Sequence, residues 1–361
     1  MGYNDHTASK MPSLTNQIIK INMLRTFILF ICVSFFAQAI HAQGLTEQYY
    51  KKGVEFQEKA IYARAVDYYT EVLEHEPKHI DARYNRAVVF FEMKEYHKAL
   101  FDARTLLEDQ PLDPDLYSLI GLIYAKLNNS AEAIYYIDRA LSLLDEPIFH
   151  LRKADILLQN KQPELAFNEL SVAFKDPDLE PSILELRAIA YADMRQPNQA
   201  MGTYSRLINL NPRPEYYYNR GLLRQQLKDT EGACSDFKEA SKEAFFEEAL
   251  EALIHCQWTL GDIAGVEASG KNGIIHFPNN PTFYLYSGLA ALKKGKSKLA
   301  TKWFDKAEQL GLKTIDIHIN KGLALVHTDK EKAKEAFLLA LKIDPNNKVA
   351  RHNLEVLEEL E

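Results

Sequence analysis

The sequence predicts an all-α fold, an α-solenoid superhelix of antiparallel helix pairs, and three observations lead there. A small residue returns at Gly53, Ala87, Gly121, Ala154, Ala188, Gly221, Gly288 and Gly322, and the register passes through Ile254, so nine positions run at spacings of 33 or 34. Twelve residues after each stands a second series, Ala65, Ala99, Ala133, Ala166, Ala200, Ala233, Val266 and Ala300, with the ninth member, Ala333, one residue early. Four residues further on comes a larger apolar series, Tyr69, Ile137, Leu170, Tyr204, Phe237, Phe304 and Phe337, broken by Ala103 and Gly270. Small residues at two fixed places let paired helices approach closely, and the large residue fills the space beside them. One such hairpin cannot bury its apolar face alone, whereas stacked neighbours bury a continuous core.

Composition is consistent with this and excludes other classes. The chain has 361 residues, 26% of them charged and 47% hydrophobic, with 15 Gly, 14 Pro and three Cys. A disulfide-rich mini-protein, a collagen-like fibre and a wholly disordered chain are thereby excluded. The net charge of −7 offers no basic surplus for a phosphate backbone, so nucleic acid is not an expected partner.

Residues 1–42 differ from the rest. Lys20 and Arg25 precede an apolar run from Phe27 to Phe36, and small residues follow at Ala37, Ala39 and Ala42. A basic region, a short apolar stretch and an A-x-A-like end form a secretory signal peptide. Residues 1–22 make an unusually long leading region, and Met23 offers an alternative start. Cleavage fits after Ala39 or Ala42; an uncleaved anchor is the competing reading. The run falls short of the about 20 apolar residues a membrane span needs, so no stable span is expected after cleavage. Cys32 follows Ile31, where a lipidation signal wants a small residue. Export is the expectation, to the periplasm in a Gram-negative host or otherwise as a secreted protein. Losing Lys10, Lys20, Arg25 and Asp5 takes the net charge from −7 to −9.

The repeats occupy residues 43–346. Turn residues fall where helices should break: Asn128-Asn129-Ser130 and Asp229-Thr230 supply N-caps, and Pro163 and Pro197 suit the first turn of a helix. Residues 347–361 read as a capping helix, with Val349, Leu354, Leu357 and Leu360 as its apolar stripe and Glu355, Glu358, Glu359 and Glu361 on the other side.

An aromatic stands three residues after the first small residue at Phe56, Phe90 and Tyr124, and prolines close units at Pro77, Pro111, Pro212, Pro278 and Pro345. With the two small series and the large apolar series, this resembles the tetratricopeptide repeat family over residues 46–345. The resemblance implies that first helices line a concave groove holding an extended peptide or a partner helix. Carried over, the inward-pointing residues are Tyr50, Tyr84, Asn85, Arg152, Tyr218, Asn219, Trp258, Tyr286 and Asn320. Asn85, Asn219 and Asn320 each lie two residues before the small residue. There an amide can bond a peptide N–H and C=O together, or can satisfy the neighbouring helices instead. Tyr and Trp supply rigid contact area. The Lys/Asn/Arg clamp by which some members hold acidic chaperone tails is absent: Tyr50, Val54, Asp115 and Leu119 stand around Asn85, and Glu185, Ile189, Glu248 and Ala252 around Asn219.

Catalytic motifs do not emerge. There is no Gly-rich phosphate loop, H-E-x-x-H, paired CxxC or G-x-S-x-G, so no catalytic residue, metal or cofactor is expected. His75 and His79 flank Pro77 without a third ligand and read as a solvated turn. The pair Glu247-Glu248 reads as a solvated face. Cys234 and Cys256 fall on helices that should pack together; two small buried hydrophobes is the preferred reading and a disulfide the other. The seventh repeat carries Gly265, Gly270 and Gly273 in one helix, either a drifted repeat held by its neighbours, the preferred reading, or a hinge beside Trp258. The functional expectation is a non-catalytic scaffold binding a protein or peptide in the groove. The alternatives are a periplasmic assembly factor or chaperone for envelope or secretion machinery, or a ligand-sensing module.

Overall fold

A computed structural model describes residues 44–242 and 246–359. The signal-peptide features, Met23, Cys32, Leu360 and Glu361 lie outside the described residues. Every regular element among the described residues is helical. The chain divides into two compact units, with the boundary along the sequence between Ile156 and Leu157.

The first unit comprises α1 (residues 44–58), α2 (Tyr62–His75), α3 (Ile80–Glu92), α4 (Tyr96–Asp109), α5 (Pro114–Lys126), α6 (Ser130–Leu143) and the greater part of α7 (Pro147–Gln159). The second holds α8 (Pro163–Ala173), a 3-10 turn at Pro177–Leu179, α9 (Glu180–Asp193), α10 (Pro197–Leu210), α11 (Pro214–Gln226), α12 (Thr230–Ala240) and α13 (Glu247–Thr259). It continues with α14 (Ile263–His276), α15 (Pro281–Lys293), α16 (Ser297–Gln309), α17 (Ile315–Leu325), α18 (Lys330–Ile343) and α19 (Lys348–Glu359). Within each unit successive helices pack as neighbours, and in the second unit α13 also touches α15, α15 touches α17, and α17 touches α19. This is α-solenoid packing.

The small-residue series are the contact points of these pairs. Ala87, Ala154, Ala188 and all the Ala of the second series are buried, as are Gly53, Gly121, Gly221, Gly288 and Gly322. A Cβ added to Gly221 would stand 2.6 Å from the Phe237 ring, and one on Gly288 2.5 Å from the Phe304 ring. The small residue of the first helix is thus seated against the large residue sixteen positions on. The seventh repeat keeps this volume with the roles exchanged. Ile254 is fully buried where the others have Gly or Ala, and a Cβ added to Gly270, where all but the second repeat have a large side chain, would stand 3.5 Å from it and 2.3 Å from Ser287 Oγ. Gly273 lies under the fully buried Phe283 ring, where an added Cβ would come within 2.2 Å. The glycines of α14 are close-packing positions in an unbroken helix.

The turn inside each pair is also repeated. Ala60, Lys94, Asn128, Lys161, Arg195, Lys228, Gly261 and Gly295 all take positive φ, between 55° and 74°. Each follows a first helix, and the residue after it bonds back to the helix, as Glu95 N–H does to Phe90 O at 2.8 Å and Asp229 N–H to Arg224 O at 2.9 Å. This is the Schellman ending, which answers carbonyls the helix would otherwise leave bare. The ninth pair lacks it: α17 stops at Leu325 and Asp329 is extended, which is why Ala333 comes one residue early. The expected caps form as read, with Asn129 accepting from Glu132 N–H at 3.4 Å and Asp229 from Gly232 N–H at 3.0 Å.

Three expectations are corrected. Cys234 and Cys256 are joined by a disulfide with their Cα atoms 5.7 Å apart, tying α12 to α13; sequence could not fix that separation. In α19 Leu357 is buried and Leu354 packs beside it as expected, but Val349 is 54% exposed and Ala350 takes the buried place at the start of the helix. Glu247 is half-buried and accepts from Asn280 at 2.7 Å, so it is not a solvated carboxylate.

Candidate functional site: the first-helix face

In the first unit the predicted residues fall on α1, α3 and α7. Tyr50 on α1 accepts a hydrogen bond from the Asn85 amide of α3 at 3.2 Å, and its ring lies 5.1 Å from that of His79. His79 is no ligand: its Nδ1 caps α3 by accepting from Ala82 N–H at 3.2 Å. The Asn85 amide also hydrogen-bonds the buried Tyr69 hydroxyl, which in turn donates to Gln57 at 2.6 Å. Burial pushes the Tyr69 phenol up to about 12. One repeat on, Tyr84 is half-buried, and its phenol is raised first by burial and then by Asp115 and Asp113, with Arg152 opposing. Arg152 reaches from α7 to donate to the fully buried Ser118 hydroxyl at 2.5 Å, its guanidinium 5.8 Å from the Phe149 ring. Tyr50 and Asn85 are therefore paired across the adjoining first helices α1 and α3, and Arg152 of α7 is tied to Ser118 of the adjoining α5.

The second unit repeats the scheme. Asn219 hydrogen-bonds the Tyr204 hydroxyl of the preceding repeat, and burial raises that phenol to about 12. Tyr218 packs on Phe246 at 4.9 Å and Phe237 at 5.9 Å; burial raises its phenol, and Glu248 and Glu251 add to this. Asn280 donates to both Glu247 and Glu251, at 2.7 and 2.6 Å. Trp258 on α13 and Tyr286 on α15 meet edge to face at 6.2 Å, and burial raises the Tyr286 phenol. Asn320 stands apart, donating to its own helix at Asp316 O, 2.8 Å. The reason is visible in the sequence: Tyr69 and Tyr204 precede Asn85 and Asn219, whereas the residue in that place before Asn320 is Phe304, which has no hydroxyl to meet it.

In each unit a polar lock that the sequence reading missed stands beside these residues. Arg86 forks onto Asp102 at 2.7 and 2.8 Å and donates to Thr70 at 3.1 Å. Arg220 does the same to Asp236 at 2.9 and 2.6 Å and to Ser205 at 3.0 Å. Asp102 and Asp236 are 1% and 2% exposed. The signal was there: Tyr-Asn-Arg in a first helix, Asp sixteen residues after the Arg, and Tyr-Thr or Tyr-Ser in the helix before. Two adjacent residues thus divide their work, with Asn meeting the preceding Tyr and Arg locking its own pair to the preceding Thr or Ser.

The first unit thus offers an amide, phenols and a guanidinium on its first helices, and the second an amide, phenols and an indole, which is the equipment of a binding face in each. Among the described residues no group of three or more His, Cys, Asp or Glu is placed to hold a metal, and no helix is long and apolar enough to cross a membrane.

Comparison with known proteins agrees with this architecture. Family models described as tetratricopeptide repeat match residues 62–123 and, with a second model, residues 114–143, 214–244 and 316–347. Superkiller protein 3 of Schizosaccharomyces pombe is 22% identical over 280 residues, 68% of this chain and 19% of that protein. Photosystem I assembly protein Ycf3 of Prochlorococcus marinus is 33% identical over 87 residues, 23% of this chain and 50% of that protein. The chain thus spans half or less of the length of these curated relatives. Among solved structures, the C-terminal part of a TPR repeat-containing protein from Cytophaga hutchinsonii superposes with a TM-score of 0.55 at 19% identity, covering 65% of this chain and 98% of that one. PilW, a type IV pilus biogenesis factor, gives a TM-score of 0.51 at 16% identity over 57% and 97% of the two chains. At these identities the two structures speak for the fold.

Proposed function

From the premise that this chain is a tetratricopeptide-repeat protein, a fold typical of protein–protein interaction, we propose that it is a non-catalytic scaffold whose first-helix face binds a peptide or partner protein. One observation carries the reading. Tyr84, Arg152, Tyr218, Trp258 and Tyr286 stand half-buried on first helices, with a body packed against the array and a polar edge or ring face left outward. Such side chains give contact area at little entropic cost. Asn85 and Asn219 act as supports, since their amides already hold Tyr residues and so fix where the neighbouring rings stand. The absence of the Lys/Asn/Arg clamp and the carboxylates Asp115, Glu248 and Glu251 beside the rings argue against an acidic chaperone tail in this groove.

The compartment belongs to the same proposal. The signal-like segment ending at Ala39 or Ala42 points to export, to the periplasm in a Gram-negative host, and a bridged Cys pair suits an oxidising compartment.

A photo-crosslinking amino acid introduced in the native host tests the face. At Tyr84 and Tyr218 it should capture a discrete partner, and at Phe101 and Tyr135, exposed on second helices, it should not. Equal capture at all four positions, or none at the first two, would overturn the assignment. A second reading, an assembly factor for envelope or secretion machinery, draws support from the 33% identity of one stretch to an assembly protein. It would show as several unassembled subunits crosslinked through the same two positions.

A further inference from the structure

The segment from Lys293 to Lys313 carries seven lysines against two carboxylates, in a chain whose net charge is −7. Two of these lysines and both carboxylates have partners. Glu267 answers Lys294 and lies 3.8 Å from Lys296, while Asp305 and Glu308 both go to Lys321 at 2.7 Å. Of the lysines without an ion pair among the described residues, Lys298, Lys302 and Lys306 stand four residues apart on α16. On a helix this spacing sets three ammonium stems in a line, about 6 Å apart and roughly 12 Å long.

That line rims a cleft of about 580 Å³ between α14, α15 and α16. Ile274, Tyr284 and Trp303 line it, the two rings 5.8 Å apart, and the Tyr284 hydroxyl is tied to Pro278 O at 3.0 Å. Lys302 Nζ sits 5.3 Å from the Trp303 ring centre. Asp305 also borders the cleft, but its charge is held by Lys321. An apolar slot with fixed aromatic walls and unanswered cations along one edge has a definite complement. We propose that this cleft binds an acidic segment of a protein partner, seating one aromatic or large aliphatic side chain against Tyr284 and Trp303 while flanking carboxylates meet Lys298, Lys302 and Lys306.

The charge of the whole chain favours a discrete segment over an anionic membrane. A broad negative surface would meet the net −7 along with the three lysines, whereas a short segment meets only the lysines. The site lies on second helices and the edge of α15, and it stands or falls independently of the first-helix groove.

The chain has two Trp, so Trp258→Phe in the full-length protein leaves Trp303 as the sole indole reporter. The probe is an acetylated heptapeptide of one phenylalanine between two runs of three glutamates, titrated at low salt. Saturable change in Trp303 fluorescence is expected, weakening about tenfold with Lys302→Glu plus Lys306→Glu and weakening also with added salt. Lys313→Glu, outside the cleft, and Tyr218→Ala, in the groove, should leave it unchanged, and helical circular dichroism checks that each variant folds. Any of four results overturns the proposal: no saturable change, equal binding by the Lys302/Lys306 variant, equal response to inorganic phosphate or to a peptide with Ser for Phe, or binding to phosphatidylglycerol vesicles without binding to the peptide.

Discussion

Asp102 and Asp236 are buried carboxylates held chiefly by the forked guanidinium groups of Arg86 and Arg220, with Arg83 at 3.6 Å and Arg224 at 3.0 Å as second cations. Removing one partner of a buried pair leaves the other uncompensated, at about 3–5 kcal/mol, whereas replacing both by apolar residues is far milder. Arg86→Ala should therefore lower the urea midpoint of the first unit sharply, and Arg86→Met with Asp102→Leu should recover most of the loss; equal loss in both would sink the argument. The buried phenols set a second expectation. Tyr69 and Tyr204 ionise near 10 when unfolded and about 12 when folded, so the folded state prefers the neutral phenol. Their contribution is complete below pH about 10 and is lost as pH rises toward 12, on the order of 2 kcal/mol each. Tyr69→Phe with Tyr204→Phe should move the alkaline loss of helical circular dichroism to higher pH. The identities of these residues were legible in the sequence, but their engagements were not. Asn85 and Asn219 could be placed on a face by their spacing alone, but whether an amide meets a ligand or a neighbouring Tyr depends on the side chain one helix away.

Among the helices, the repeat period was legible because it rests on volume, and volume is carried by residue type. The exchange at Ile254 and Gly270 was missed because each was read as a departure, when together they conserve the filling of one contact. Gly270→Phe should destabilise by about 1–3 kcal/mol through overpacking, and Ile254→Gly in the same chain should return part of that, an interaction a double-mutant cycle would measure. The hinge reading of α14 predicts fast amide exchange there; the close seating of Gly270 and Gly273 predicts protection matching α13 and α15. The inner turns were invisible for another reason. Lys94, Lys161 and Lys228 hold the left-handed conformation without being Gly, so composition gives no mark of it. Lys161→Gly, which relieves that strain, should raise the stability of the second unit by about 1 kcal/mol in chemical denaturation, against the usual direction of a Gly substitution.

At the scale of the molecule, an array of repeats draws its stability from neighbour contacts, and ends and weak interfaces open first. The disulfide adds a constraint the sequence left open, since two Cys on adjacent helices are bridged only if their Cα atoms come close enough. Reduction should cost the second unit about 3 kcal/mol and leave the melting of the first unit unchanged, which calorimetry with and without a reductant would show. The division into two compact units had no counterpart in composition, because the repeat runs through it without a proline- or glycine-rich break.

The bridge between Cys234 and Cys256 also changes how the chain would respond to being pulled from its ends. The two Cys are 22 positions apart, a stretch of chain that would span roughly 70–80 Å if drawn out straight, and the sulfur link short-circuits that length. In a force-extension trace the oxidised protein should come up short by about that distance, and a reductant should release it as a single added step. A tethered scaffold under tension would thus carry a reserve of slack released only by a change in redox state.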